Sequence, residues 1–207
     1  MALMESRRNA GFFDHWASSY DRSIHQKVMF EPVHKAALDA CSAAGASPQD
    51  VLDVGCGTGR LLESAARRWA QARLTGIDVS EAMVAEAQRK HPADARFTFK
   101  QGDASALPLE AASFDAAFST MSFHHWDDQA LGIREIARVL RPGGLFVLAD
   151  VDVPLLFLLR PLVAWRDRAH FQAPEDIERF LQQAGLSVVA HRRFWRLVRV
   201  QLFVGRK

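Results

Sequence analysis

Short apolar runs alternate with amphipathic stretches along most of this chain. Val51 to Val54 is an apolar run that ends directly in glycines. Arg60 to Ala70 then places Leu61, Leu62, Ala65 and Trp69 at helical spacing. Arg73 to Asp78 contains a second strand, and Ser80 is suited to cap a helix over Glu81 to Lys90 that His91-Pro92 ends. Arg96 to Gln101 alternates as a third strand, and Phe114 to Ser119 is a fourth. Asp127 to Leu140 predicts a helix with an apolar face of Leu131, Ile133, Ile136, Ala137 and Leu140. Arg141 to Gly144 predicts a turn, and Leu145 to Ala149 a fifth strand.

That strand–helix alternation implies a parallel sheet covered by helices. The flanks follow a different rhythm. Residues 1–49 predict broken helix, with an alanine-rich stretch from His34 to Ser42 that Gly45 to Pro48 ends. Leu155 to His170 predicts a helix, and Pro174 opens another that Gly185 terminates. Ser187 to Arg193 and Val198 to Val204 predict an antiparallel strand pair at one sheet edge.

Composition narrows the picture without changing it. The 207 residues suit one domain, with 49% hydrophobic and 24% charged residues. A formal net charge of +2 gives no argument for a nucleic-acid partner. Arg192, Arg193, Arg196, Arg199, Arg206 and Lys207 crowd the C-terminus, as an anionic-substrate patch or as alternating strand residues. Cys41 and Cys56 are the two cysteines, and Cys56 lies in a glycine turn where a disulfide would obstruct the backbone. A reduced, cytoplasmic setting follows. The stretch Val153 to Trp165 is too short, and too interrupted by Arg160 and Pro161, to span a bilayer.

The chemistry concentrates at the ends of the predicted strands, where open parallel sheets bind ligands. Gly55, Gly57 and Gly59 follow the first strand in a Gly-x-Gly-x-Gly pattern, which differs from the Gly-x-Gly-x-x-Gly of dinucleotide enzymes. Alone, they indicate a nucleotide-like ligand or simply a tight loop. Asp53 stands just before them, where a carboxylate opposes a pyrophosphate but suits a ligand carrying an ammonium and a sulfonium. Asp78 ends the second strand, at the position from which a carboxylate can accept ribose hydroxyls. Asp103 follows the third, where it can accept the amine of adenine, with Val79, Met83 or Ala104 against the ring face. No histidine spacing suggests a metal site.

Together these segments resemble the class I S-adenosylmethionine-dependent methyltransferases, in particular the small-molecule group that includes ubiquinone and menaquinone methyltransferases. The matching segments are Val51–Gly59, Leu74–Ser80, Gly102–Pro108, Ser113–Ser119, His124–Trp126 and Val139–Phe146, in the family's order. The resemblance implies a Rossmann-like, doubly wound seven-stranded α/β sheet, with an antiparallel strand near one edge and helices on both faces. It implies a single methyltransferase domain over 1–207. Residues 1–49 would form an N-terminal helical cap, 50–150 the cofactor core, 151–174 an acceptor lid, and 175–207 a helix and the strand pair.

Carried over by position, Asp53, Gly55, Cys56 and Gly57 would cradle the methionine end of S-adenosylmethionine. Asp78 would bind ribose, Val79 and Met83 would flank adenine, and Asp103 and Ala104 would meet its edge. Ser119 and Thr120 would lie beneath the sulfonium. Phe12 to Tyr20 resembles the family's N-terminal helix, with Tyr20 near the cofactor carboxylate. Cys56 is read as a small packing residue.

The expected activity is methyl transfer by in-line displacement to a small apolar or aromatic molecule, leaving S-adenosylhomocysteine. His124 and His125 either line the acceptor pocket, one taking a proton, or pack the loop with Trp126. No Asp/Asn-Pro-Pro-aromatic motif follows the fourth strand, which argues against methylation of nucleic-acid bases. The apolar residues from Leu155 to Trp165 would form a lid with peripheral membrane contact through Arg160, Arg166 and Arg168, a core helix, or a dimer contact. Monomer and homodimer both remain open. The rival functions are a non-catalytic S-adenosylmethionine-binding protein and an NAD-dependent oxidoreductase.

Overall fold

In the computed structural model, which describes residues 30–152, 170–195 and 198–207, the apolar runs become the strands of a single sheet. The helix expected over Phe12 to Tyr20, Arg196, and the stretch Leu155 to Trp165 lie outside the described residues. The elements run α1 (Glu31–Ala43), β1 (Asp50–Val54), α2 (Arg60–Arg68), β2 (Arg73–Asp78), α3 (Glu81–Lys90), β3 (Phe97–Gln101) and β4 (Phe114–Thr120). A 3₁₀ turn (Phe123–His125), α4 (Gln129–Val139), β5 (Leu140–Val151), α5 (Pro174–Gln183), β6 (Ser187–Trp195) and β7 (Arg199–Arg206) complete them.

The strand order is β3-β2-β1-β4-β5-β7-β6. Strands β1 to β5 pair in parallel, and β7 enters antiparallel between β5 and β6. The order reverses at β1, between β2 and β4, which makes the carboxyl end of β1 the switch point.

Side-chain alternation explains why helices cover both faces. Val51, Leu74, Ala116, Phe118 and Val147 pack with Leu38 of α1, Leu62 of α2 and Val84 of α3. Leu52, Val54, Ile77, Ala117 and Phe146 point the other way, onto Ile133 and Ile136 of α4 and Leu181 of α5. Every residue of β1 is buried, as expected for a central strand between two helical layers.

Two expectations need correction. Leu131 is not on the buried face of α4; it is 37% exposed, and Gly132 takes the inner position. The ring of Trp126 lies so close that a Cβ at Gly132 would fall 2.5 Å from Trp126 Cε3. Arg141 to Gly144 does not precede β5 as a separate turn but lies inside it. The ladder steps from Phe114–Leu140 to Ala116–Leu145, so these residues bulge out of register. Gly143 N–H there donates to Lys207 O at 2.8 Å.

The described C-terminal cations are dispersed, as alternating strand residues would be. Arg199 donates to the buried Asp152 at 3.0 Å, and Arg193 lies 3.3 Å from the same carboxylate. Arg206 donates to Ala44 O at 2.9 Å and Lys207 to Leu140 O at 2.6 Å. At the amino ends of the strands, Arg141 bridges Asp50 and Asp115 at 2.9 and 2.6 Å. That edge is braced by ion pairs, while the carboxyl edge opens into a cleft.

Candidate active site

The cleft forms where β1, β2, β3 and β4 end. It is lined by Asp53 to Thr58, Asp78, Val79, Met83, Gly102 to Ala104 and Thr120 to Ser122, with Phe30, His34, Arg60, His125, Trp126 and Asp127. The structure therefore brings Asp53, Gly55, Cys56, Gly57, Asp78, Val79, Met83, Asp103, Ala104, Thr120 and His125 onto one surface. Tyr20 lies outside the described residues. Ser119 and His124 are near the cleft but do not line it.

The floor is built by a sharp reversal after β4. Met121 adopts φ 55°, a left-handed conformation that an L side chain rarely occupies. This turn brings Ser122 across to β1, where its hydroxyl donates to Val54 O at 3.1 Å. The fully buried Ser119 lies underneath, with its Oγ 2.9 Å from that of Ser122. Gly55, at φ 76°, packs directly over Ser122; a Cβ there would overlap Ser122 Oγ.

The carboxylates at successive strand ends have different roles. Asp78 Oδ2 accepts from Gly57 N–H at 2.8 Å and Oδ1 from Ser80 N–H at 2.9 Å. Ser80 Oγ caps α3 by accepting from Met83 N–H at 3.2 Å. Asp103 Oδ1 accepts from Ser105 N–H and Oγ at 2.8 and 2.7 Å, which folds the loop after β3. Asp53 is 2% exposed, and its Oδ1 has no hydrogen-bond partner among the described residues. Burial first, and the charge of Asp78 second, push its carboxyl up to about 8.

An orphaned buried carboxylate is costly unless a ligand completes it. A cationic amino-acid end fits that requirement, and a pyrophosphate does not. The donor set therefore fits S-adenosylmethionine. Cys56 is held protonated by burial, then by the charges of Asp78 and Asp53, and its Sγ packs toward Gly76. These are the surroundings of a packed thiol and not of an activated one.

His124 is anchored from several sides. Its backbone N–H donates to Asp150 Oδ2 at 2.8 Å, and its Nδ1 lies 2.7 Å from Asp150 Oδ1. Burial works against the charged ring, but the charge and hydrogen bond of Asp150 outweigh it and raise the pKa. The ring of Phe171 stacks on it at 5.1 Å, and His125 tilts against it at 4.0 Å. Sequence reasoning missed Asp150, Met121, Ser122 and Arg60. Arg60 alone had a visible signal, since it directly follows the last glycine of the turn.

A glycine turn at the switch point, with carboxylates closing three strand ends, defines a nucleoside-binding α/β protein with a site for a cationic amino-acid tail. Residues 52–148 match a family model described as a methyltransferase domain. A demethylmenaquinone methyltransferase from Beutenbergia cavernae is 32% identical over 214 residues, spanning 95% of this chain and 86% of the relative. This chain belongs to the class I S-adenosylmethionine-dependent methyltransferase family. A malonyl-[acyl-carrier protein] O-methyltransferase from Hahella chejuensis is 32% identical over 163 residues, covering 78% of this chain but 55% of that protein. A biotin biosynthesis bifunctional protein from Teredinibacter turnerae is 31% identical over 90% of this chain and 34% of its own length. The chain thus spans part of the length of most of these curated relatives. Among solved structures, a methyltransferase in complex with a methyltransferase activator from Haloferax volcanii superposes with a TM-score of 0.73. It covers 94% of this chain and 96% of its own at 23% identity, a likeness of fold.

Among the described residues, no group of His, Cys, Asp and Glu could hold a metal ion, and no helix is long and apolar enough to cross a membrane.

Proposed function

We propose that this chain transfers the methyl group of S-adenosylmethionine to a small apolar or aromatic molecule. The observation that carries this reading is the buried, unpartnered carboxylate of Asp53 in a cleft that also presents Asp78 and Asp103. Asp53 with the Gly55–Gly57 backbone holds the methionine end. Asp78 takes the ribose hydroxyls, Val79 and Met83 hold the adenine faces, and Asp103 with Ala104 meets its edge. Thr120 and the floor beneath it, with Ser119 under Ser122, support the sulfur.

The bound sulfonium supplies an activated methyl group, so the chain's own task is alignment and exclusion of water. The acceptor lies beyond Thr120, beside His125. His125, on the cleft wall, would receive a proton from an acceptor hydroxyl; His124 packs against it at a tilt and is itself held by Asp150. The acceptor lid expected over 151–174 falls mostly outside the described residues. Two buried free cysteines suit a reducing, cytoplasmic compartment.

Relatives named for quinone, malonyl-carrier and 27-O-demethylrifamycin methylation support a small-molecule acceptor. Calorimetry with S-adenosylmethionine, S-adenosylhomocysteine and NAD, followed by turnover on a panel of phenols, quinols and carboxylic acids, tests the reading. Binding of the two sulfur ligands but not NAD, with transfer to at least one acceptor, is expected. Binding without transfer would leave a cofactor-binding protein, and NAD binding would overturn the assignment. Full turnover by His125→Ala and His124→Ala across pH would remove the proton role.

A further inference from the structure

Gln129 stands in the first turn of α4 and is 5% exposed. Its Nε2 donates to Phe123 O at 2.9 Å and to His170 O at 2.7 Å. Its Oε1 accepts from Gln172 Nε2 at 2.7 Å. Two carbonyls face Nε2, so only one orientation of the amide is admissible. The helix does not need Gln129 as a cap, because Asp128 Oδ1 already accepts from Leu131 N–H at 2.9 Å. A buried amide is costly unless it is bonded, and here both donors and the oxygen are used.

These bonds close a ring around His124. Gln172 O accepts from Gln201 Nε2 at 3.1 Å. Gln201 pairs with Asp150 in the β5–β7 ladder, so the two side chains share one face of the sheet. Asp150 holds the His124 ring at 2.7 Å. On the other side, His170 N–H donates to His124 O at 2.7 Å, and the Phe171 ring stacks on the imidazole. The chain of glutamines thus starts at Phe123, beside His124 in sequence, and ends beside the carboxylate that grips the His124 ring. An apolar side chain at 129 would leave Phe123 O and His170 O without this donor and would release residues 170–172 from α4. His124 packs in turn against His125, which lines the cleft.

We propose that Gln129 is a positioning residue for proton removal from the acceptor: it fixes residues 170–172 against His124 and thereby holds His125 at its place on the cleft wall. The assignment rests on the function proposed above. In that reaction the acceptor oxygen attacks the methyl carbon, and the carbon–sulfur bond breaks with its electron pair left on sulfur. The hydroxyl proton passes to His125. An acceptor that arrives already ionised has no proton to give, so it depends on cofactor binding and alignment but not on Gln129.

The test compares two acceptors on the full chain, a phenol that the wild type methylates and its nitro-substituted analogue, ionised at the assay pH. Gln129→Met should lower kcat for the neutral phenol by roughly 10- to 100-fold, while kcat for the ionised analogue stays within about threefold and S-adenosylhomocysteine affinity within about twofold. A merely structural role would lower both rates together. Equal losses for the two acceptors, no loss for either, or a parallel loss of S-adenosylhomocysteine affinity overturns the proposal. Should Gln129→Met not fold, Gln172→Met cuts the ring at its next bond and should show the same selectivity with a smaller loss; a uniform loss there is equally fatal. A wild type that methylates no phenol would instead refute the hydroxyl-acceptor reading underneath, and this assignment with it.

Discussion

Asp78 Oδ2 accepts a 2.8 Å hydrogen bond from the backbone N–H of Gly57, so the carboxylate expected to meet ribose also fixes the glycine turn. Its other oxygen accepts from Ser80 N–H at the start of α3. One side chain at the tip of β2 thereby sets the distance between turn and helix, the two walls between which a nucleoside must fit. Asp78→Ala should weaken S-adenosylhomocysteine binding by roughly 1–3 kcal/mol and lower stability by a similar amount, since two backbone donors lose their partner. Asp78→Asn keeps one acceptor oxygen for the two backbone donors, so it should recover only part of the stability and little of the affinity. Calorimetry and thermal unfolding separate the two effects; unchanged affinity in both variants would place the ribose elsewhere.

Gly55 and Ser122 make the second close relationship. At φ 76°, Gly55 lies where a methyl group would overlap Ser122 Oγ, the group that joins β4's reversal to Val54. Gly55→Ala combines a left-handed backbone penalty with this overlap, so a loss of roughly 1–3 kcal/mol of stability is expected. Gly55→Ala with Ser122→Gly removes the overlap but not the backbone penalty, and should recover only part of the loss. Full recovery in a thermal melt would show that strain at Gly55 is not a cost.

Asp53 links cofactor binding to pH. Burial, then the nearby Asp78 charge, raises its carboxyl to about 8, above the ordinary value of 3.8. The folded chain therefore holds a proton that the unfolded chain releases. The stability it contributes is fully present below the ordinary carboxyl pKa and is lost as pH rises through about 8. A cationic ligand favours the ionised form, so binding at neutral pH expels that proton. Affinity for S-adenosylmethionine should rise with pH, by at most about tenfold per unit. The slope is read below about 7.5, where the ligand's ammonium stays protonated. Calorimetry in buffers of different ionisation enthalpy should detect the released proton. Asp53→Asn should bind more weakly with no such slope; a flat wild-type profile would mean that Asp53 does not meet the cation.

The frame of this site was visible in the residue pattern because strand ends and glycine turns are local features. Asp53, Asp78 and Asp103 each stand at or just past the end of a predicted strand, and the structure places all three on the cleft. The misses depend on contacts distant in sequence. Leu131 fits an apolar helical stripe, but the Trp126 ring leaves room at the inner position for Gly132. Arg141 to Gly144 has the composition of a turn, yet pairing with β4 and Lys207 draws it into β5 as a bulge. The left-handed Met121 has no composition cue, because its conformation is imposed by Ser122 reaching Val54. Asp150 falls just past the predicted fifth strand, and its partner His124 lies 26 positions away.

That His124–Asp150 pair carries a pH dependence of opposite origin to that of Asp53. Burial disfavours the His124 cation, but the adjacent Asp150 charge and hydrogen bond prevail, so the folded pKa lies above 6.5. The resulting stability is fully present below the ordinary histidine value and is lost as pH rises through the raised one. Asp150→Asn keeps the shape but removes the charge, leaving burial unopposed. The His124 ring should then titrate below 6.5, visible as a shifted imidazole resonance in proton NMR. Stability at mildly acidic pH should fall by roughly 1–3 kcal/mol, with a smaller change at alkaline pH, where the pair has already lost its cation. An unmoved His124 titration would show that Asp150 holds the loop through the backbone N–H bond alone, and that the ring is not tuned for proton transfer.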